Sequence, residues 1–144
     1  MKIYIGCPIQ GFSATDWQKH WDKLEKLKGE LRKRGHEILD FKSTREKHAP
    51  PGTVFIWDHE QCMECDAMIA IALGPSTGMG MEIAMCLMKP SPAFVFGTAP
   101  QETEVSRMVT ECNLPGFVFE RYEKFENIPD MFEKLYKNRI SSNL

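Results

Sequence analysis

The chain has 144 residues, of which 42% are hydrophobic and 26% charged, and its net charge is −2 at pH 7. This length and composition are typical of one globular domain, which we place at residues 1–140, with a frayed tail at 141–144. A net charge so close to zero argues against nucleic acid or an anionic membrane as the main partner.

Strand and helix patterns alternate along the chain. In order they predict strand 2–6, a helix with Thr15 as N-cap and Gly35 just past its end, strand 37–41, helix 53–65, strand 67–73, a helix opening at Gly78, strand 92–97, helix 102–112, strand 116–120 and a helix around 129–139. This alternation predicts a three-layer, doubly wound α/β fold with a five-stranded parallel sheet in the flavodoxin-like order 2-1-3-4-5. The loops after the first and third strands should then face one crevice.

A glycine-rich turn follows the third strand. Gly78-Met-Gly-Met-Glu82-Ile83 opens an apolar helix, and Ser76, Gly78 and Gly80 offer small side chains and N–H groups to a phosphate. The segment lacks the third glycine of a dinucleotide fingerprint, which disfavours NAD. The turn therefore predicts an anion site.

Glu82 is the charged residue in the first turns of this helix. A capping-box role would need Ser or Thr three residues earlier, where Met79 stands. A surface role fits poorly with the surrounding apolar residues, since a helix that is apolar all round is buried in the domain or in an oligomer. We favour a functional carboxylate, whose ionised form the nearby helix N-terminus should favour.

Asp58 and Tyr4 are the other candidates for chemistry. Asp58 lies early in the helix before the third strand, where a solvated first-turn aspartate is an equal alternative. Tyr4 could donate a hydrogen bond to a nucleophile or be a half-buried strand residue. Two carboxylates facing one pocket would suit glycosidic bond cleavage. Three aromatic residues could stack on a base or belong to the core: Phe12, Phe41 and Trp57.

The five cysteines are typical of reduced thiols in a cytoplasmic protein. Cys62 and Cys65 have the spacing of a metal or redox pair, but we favour core packing because no second pair or histidine cluster joins them. No metal or redox cofactor is implied. No apolar stretch reaches the length of a membrane span, and the strand starting at Lys2 leaves no room for a signal peptide.

Residues 2–112 resemble the nucleoside 2-deoxyribosyltransferase family, and within it most closely the 2′-deoxynucleoside 5′-phosphate N-hydrolase branch. The resemblance rests on Lys2-Ile-Tyr4-Ile-Gly6, on Asp58 shortly before a Cys-Asp-Ala strand, and on Ser76-Thr-Gly78-Met-Gly80-Met-Glu82. It implies a flavodoxin-like homodimer with active sites near the subunit interface. It also implies that Glu82 is the catalytic glutamate, Asp58 the acid and base near the nucleobase, and Tyr4 the residue that positions the glutamate.

The resemblance also suggests how a substrate would be held. Ser76 matches a phosphate-binding serine, and Ser106 matches the serine that the neighbouring subunit adds to the phosphate site. The phosphate loop of the hydrolase branch, Ser-Ile-Arg-Gly, is replaced by Pro8 followed by Ile9, Gln10 and Gly11. The lost arginine removes a charge-assisted contact of about 1.5–3 kcal/mol, which Lys42 or Arg45 could replace. Phe41 stands where that branch has a histidine.

We therefore predict an N-glycosidase that hydrolyses 2′-deoxynucleoside 5′-monophosphates. Two alternatives stay open. One is a base-exchanging deoxyribosyltransferase acting on free nucleosides, and the other is a non-catalytic nucleotide-binding or sensing module on the same fold.

Overall fold

Five parallel strands form one sheet in the order β2-β1-β3-β4-β5 in the computed structural model of the chain, which describes residues 1–8, 13–39 and 50–142. The strands are β1 (Lys2–Gly6), β2 (Glu37–Leu39), β3 (Ala67–Ile71), β4 (Phe94–Pro100) and β5 (Phe117–Tyr122). The helices are α1 (Ala14–Lys33), α2 (Thr53–Glu64), α3 (Thr77–Met88), α4 (Arg107–Thr110) and α5 (Ile128–Ser142). The predicted three-layer, doubly wound, flavodoxin-like fold and its strand order are confirmed.

Helices cover both faces of the sheet, so successive residues of the central strands enter two different cores. On one face, Ile3 and Ile5 of β1 pack with residues of α1 and α5. On the other face, Tyr4 of β1 and Met68 of β3 pack with residues of α2 and α3. The helices that carry Asp58 and Glu82 therefore lie side by side on the same face.

The edge where β1 and β3 end is the switch point of the sheet. The two strands are paired from Ile3↔Ala67 to Gly6↔Ala70, and β2 and β4 flank them on opposite sides. The chain leaves β1 towards α1 on one face and leaves β3 towards α3 on the other, which opens a crevice between the two loops. The fold thus places the segments after Gly6 and after β3 at one site.

Several predicted boundaries are wrong by a few residues. Helix α1 begins at Ala14 because Ser13, not Thr15, is its N-cap and accepts a hydrogen bond from the Asp16 N–H. Strand β3 ends at Ile71 rather than at residue 73, while β4 and β5 run on to Pro100 and Tyr122 because their paired registers extend that far. Gly35 does follow the end of α1, with φ of +86°.

The predicted helix 102–112 is the largest error, since α4 covers four residues only. The guanidinium of Arg121 donates hydrogen bonds to the carbonyls of Pro100, Gln101 and Thr103. Because these carbonyls accept hydrogen bonds from a side chain of β5, the segment before Ser106 is irregular instead of helical. Helix α5, in contrast, extends into the segment expected to be a frayed tail and ends at Ser142.

None of the helices in the described ranges is long and apolar enough to cross a membrane.

Candidate active site

Glu82 lies at the second turn of α3, with its carboxylate directed back towards the end of β1. Ser76 is the N-cap of α3 and its hydroxyl accepts a hydrogen bond from the Met79 N–H, so the helix begins at Thr77. Glu82 is therefore the sixth residue of the helix, not part of its first turn as predicted. The capping-box role is excluded, because the N3 position is Met79.

Gly6 leaves the space that the carboxylate of Glu82 occupies at the end of β1. A Cβ atom added to Gly6 would lie 2.8 Å from Oε2 of Glu82 and 2.5 Å from Cε of Met68. Because both distances are shorter than real Cβ contacts, only glycine allows the carboxylate to lie so close to the β1 backbone. This close approach holds the carboxylate at the switch point of the sheet.

The pKa of Glu82 is raised from its usual 4.5 to about 7. Burial is the main cause of this rise, and the negative charge of Asp58 is the second. A hydrogen bond from the Tyr4 hydroxyl acts in the opposite direction, because it stabilises the ionised carboxylate. The predicted contribution of the helix N-terminus, which would favour the ionised form, stays a prediction, and burial outweighs the hydrogen bond from Tyr4. Glu82 is therefore poised to change its ionisation near neutral pH.

Tyr4 lies behind Glu82, fully buried in β1. Burial raises the pKa of its hydroxyl, and the charge of Glu82 raises it further, so Tyr4 remains a neutral donor. Burial likewise raises the pKa of the adjacent Cys7 thiol to about 12, with Glu82 as the next cause. Cys7 is therefore a neutral thiol beside the carboxylate rather than a nucleophile.

Asp58 and Glu82 line one cleft of about 470 Å³ at the carboxyl edge of the sheet. Asp58 comes from the middle of α2, is half-buried, and burial raises its pKa. It is therefore not the fully solvated first-turn residue of the alternative interpretation. The described lining of this cleft consists of Cys7, Pro8, Val54, Asp58, Pro75, Ser76, Thr77, Gly78, Met79 and Glu82.

The predicted phosphate-binding residues divide between two neighbouring cavities. Ser76 and Gly78 line the carboxylate cleft, as predicted. Gly80 does not, because helical rotation turns it to a second, mainly apolar groove of about 540 Å³ that also contains Ser106. Ser76 borders both cavities. The predicted site residues Ile9, Gln10 and Gly11 lie outside the described residues, as do Phe12, Phe41, Lys42 and Arg45.

The apolar groove lies on the outer side of α3. Two methionines of that helix, Met81 and Met88, are 47% and 78% exposed, and Met108 of α4 is 89% exposed. One chain by itself therefore does not bury α3 all round, and burial of its exposed side in an oligomer stays a prediction. Met81 and Met108 line the groove together with Leu114.

Sequence reasoning missed Val54 as a contributor to the site, and it included Gly6 and Pro8 only as parts of a predicted pocket wall, without the contact that Gly6 makes. Gly6 could have been recognised as a glycine at the end of a buried strand, which often marks close approach of another group. Val54 is the second residue of α2 and lies one turn before Asp58, so it faces the same cleft. Trp57 is half-buried and is not among the described residues of the cleft.

Cys62 and Cys65 are buried between α2 and α3, as expected for core residues. The Sγ atoms of Cys65 and Cys86 are 3.7 Å apart. Over the described ranges, no three His, Cys, Asp or Glu side chains are grouped so as to hold a metal ion.

Comparisons with known proteins support the resemblance seen in the sequence. A protein of Thermofilum pendens, provisionally named 2′-deoxynucleoside 5′-phosphate N-hydrolase 1, is 27% identical over 140 aligned positions, covering 94% of this chain and 92% of that protein. No family model matches the chain.

Two solved structures share the fold. The CMP N-glycosidase of Clostridium botulinum aligns with a TM-score of 0.66 at 16% identity, covering 94% of this chain and 99% of that one. The 2-deoxyribosyltransferase of Bacillus psychrosaccharolyticus aligns with a TM-score of 0.60 at 21% identity, covering 89% and 90%. The predicted resemblance to the deoxyribosyltransferase family and its N-hydrolase branch is confirmed. The names of these three proteins are those of enzymes of the predicted class, N-glycosyl hydrolases or deoxyribosyltransferases.

Proposed function

We propose that this chain hydrolyses the N-glycosidic bond of 2′-deoxynucleoside 5′-monophosphates. The observation that carries the proposal is the pair of partly buried carboxylates, Asp58 and Glu82, in one cleft at the switch point of the sheet. The names of the similar proteins, an N-hydrolase of deoxynucleoside phosphates and a CMP N-glycosidase among them, point to the same chemistry.

Glu82 is the nucleophile in this proposal. Its ionised carboxylate attacks C1′ of the sugar, the C1′–N bond breaks, and its electron pair leaves with the base. The hydrogen bond from Tyr4 opposes the effect of burial and maintains an ionised fraction at neutral pH. Positive charge on the sugar carbon in the transition state favours the carboxylate further.

Asp58 is the acid and base. Burial raises its pKa, which favours its protonated form, and in this proposal it donates its proton to the departing base. The resulting aspartate then accepts a proton from water as the water attacks C1′, which breaks the bond to Glu82 and restores both carboxyl groups.

The other end of the cleft suits a phosphate. Ser76 and Gly78 lie at the N-terminus of α3, where N–H groups and the helix dipole favour an anion. We place the 5′-phosphate there.

Ser106 would approach the phosphate from a second copy of the chain packed on the apolar groove, which makes the working unit a homodimer. Sedimentation of the purified protein tests that dimer, and a monomer at assay concentration would contradict it.

A panel assay of base release tests the proposed activity. Each 2′-deoxynucleoside 5′-monophosphate and its unphosphorylated nucleoside is incubated with the parent protein, with Glu82→Gln and with Glu123→Gln, an exposed glutamate that serves as control. We expect base and deoxyribose 5-phosphate from the monophosphates with the parent and with Glu123→Gln, and a loss of at least 100-fold in Glu82→Gln. Binding of these substrates without base release by the parent would contradict the proposal and favour a sensing module.

Base exchange is the second candidate function. The loss of the loop arginine, with Gln10 in its place, weakens the argument for phosphate and favours this alternative. A second free base added to the same incubation distinguishes the two. A new nucleoside indicates transfer, whereas free sugar or sugar phosphate indicates hydrolysis.

A further inference from the structure

Helices α2 and α3 are joined by a ladder of contacts that starts at the backbone of Glu82. The thiol of Cys62, one turn after Asp58, lies 3.7 Å from the carbonyl oxygen of Glu82. The thiol of Cys86, one turn after Glu82, lies 3.9 Å from the carbonyl oxygen of Cys62. The small side chains of these two cysteines therefore keep the helices in close contact directly below the cleft.

The ladder ends at a buried lysine. Lys89, the C-cap of α3, has only 8% of its surface exposed. Its ammonium group donates hydrogen bonds to the carbonyl oxygens of Cys62 at 3.0 Å and Met63 at 3.2 Å, and also to that of Cys65. These carbonyls belong to the last turn and cap of α2, where carbonyl groups lack partners within the helix and the helix dipole favours a cation.

The spacing along the two helices is the same. Asp58 precedes Cys65, the cap of α2, by seven residues, and Glu82 precedes Lys89 by seven residues. Seven residues make two turns and about 10 Å of helix. On each helix, the contact between Lys89 and the end of α2 therefore lies two turns from the carboxylate of that helix.

We infer that Lys89 is a positioning residue, which fixes α2 against α3 and thereby sets the placement of Asp58 relative to Glu82. The three carbonyls it binds fix both the rotation and the axial position of the α2 terminus. Helices are stiff over two turns, so a shift at this end is transmitted to Asp58. The catalytic meaning of this arrangement rests on the proposed function, whereas the geometric effect does not.

A shift of α2 would change the surroundings of Glu82 in a measurable way. The titratable groups that face this carboxylate are Tyr4 from β1, Cys7 from the segment after it, and Asp58 from α2. Asp58 moves with α2, and so do the α2 atoms that help to shield the carboxylate from water. Loosening α2 should therefore lower the pKa of Glu82 towards its usual value.

The test compares Lys89→Met with the parent and with Lys134→Met, which removes an exposed lysine of α5. The side-chain carboxyl ¹³C resonance of Glu82, identified by its absence from Glu82→Gln, is titrated in each protein. We expect the midpoint to be near 7 in the parent and in Lys134→Met, and to fall by at least 0.5 pH unit in Lys89→Met. Lys89→Arg, which keeps a cation with several donors, should lie closer to the parent.

Kinetics give a second readout if the parent is active. Misplacement of one carboxylate should lower kcat by about 10-fold to 100-fold with KM changed less than threefold. If Lys89→Met does not fold, Lys89→Gln, which keeps two N–H donors without charge, takes its place in the same comparison.

A variant at Lys89 that is folded but less stable, with the parent's Glu82 midpoint and kcat, would show that Lys89 only stabilises the fold and would overturn the inference. Absence of base release by the parent would instead contradict the proposed function. The titration still decides the role of Lys89 in that case, so the two failures are distinguishable.

Discussion

Replacing Glu82 by Gln should stabilise the fold at pH 8 while it removes catalysis. The pKa of Glu82 is about 7 in the folded protein and 4.5 is its usual value. The folded state therefore binds more protons than the unfolded state between these pH values, and the free energy of unfolding falls as the pH rises from about 4.5 to about 7. Glutamine has nearly the same shape and removes this pH-dependent cost.

The size of the effect follows from the pKa difference. At 1.36 kcal/mol per pH unit, the ionised carboxylate costs up to about 3 kcal/mol above pH 7. Part of the gain is lost because the amide must also be buried, although the Tyr4 hydroxyl can still donate to its oxygen. We expect a net gain of about 1–2 kcal/mol at pH 8, which corresponds to roughly 3–8 °C in Tm for a chain of this length.

Urea unfolding of the parent and of Glu82→Gln at pH 8 and at pH 4.5 measures this difference. The gain should be present at pH 8 and shrink to about 0.5 kcal/mol or less at pH 4.5, where Glu82 is largely protonated. Glu123→Gln, which alters an exposed carboxylate, controls for the general effect of charge. A Glu82→Gln variant that is less stable than the parent at both pH values would refute the reasoning, because Glu82 would then be a structural residue.

Three further variants test separate parts of the site. Tyr4→Phe removes the donor that favours ionised Glu82, so the pKa seen in the pH–rate profile should rise, and an unchanged profile would argue against this contact. Gly6→Ala places a methyl group 2.8 Å from the Glu82 carboxylate. It should lower stability by about 1–3 kcal/mol and kcat by at least 10-fold. Parent-like turnover would show that the close approach is not needed. Ser76→Asp puts a negative charge where the phosphate is proposed, so KM should rise for monophosphates but not for free nucleosides, and an equal change for both would contradict that placement.

The fold could be predicted from the sequence because the signals are local and repeated. Buried strands such as 67–71 and the amphipathic helix 14–33 alternate along the chain, and parallel sheets built this way have few allowed topologies. The failed helix prediction at 102–112 depended on Arg121 of β5, whose guanidinium binds carbonyls just before and at the start of that segment. A contact between residues about 20 positions apart leaves no local pattern.

In the candidate site, too, local patterns could be predicted from the sequence and long-range contacts could not. Glu82 was recognisable as a carboxylate among apolar residues, and strand order predicted that its turn lies at the crevice. Asp58 had an ambiguous pattern, and the family resemblance suggested that it belongs to the same site. The direction of the Glu82 pKa shift was not predicted, because the sequence shows a helix N-terminus nearby but not the degree of burial. The contacts of Gly6 and Lys89 were missed for a related reason, since the importance of these residues lies in what the folded chain brings against them.

The most direct test of the central claim is single-turnover release of base from a 2′-deoxynucleoside 5′-monophosphate by the parent, Asp58→Asn and Glu82→Gln, each verified to be folded. If the two carboxylates act together on the glycosidic bond, both variants should lose at least 100-fold in the rate of base release, and the double variant should lose little more than the worse single one. Parent-like release by either single variant would contradict the claim.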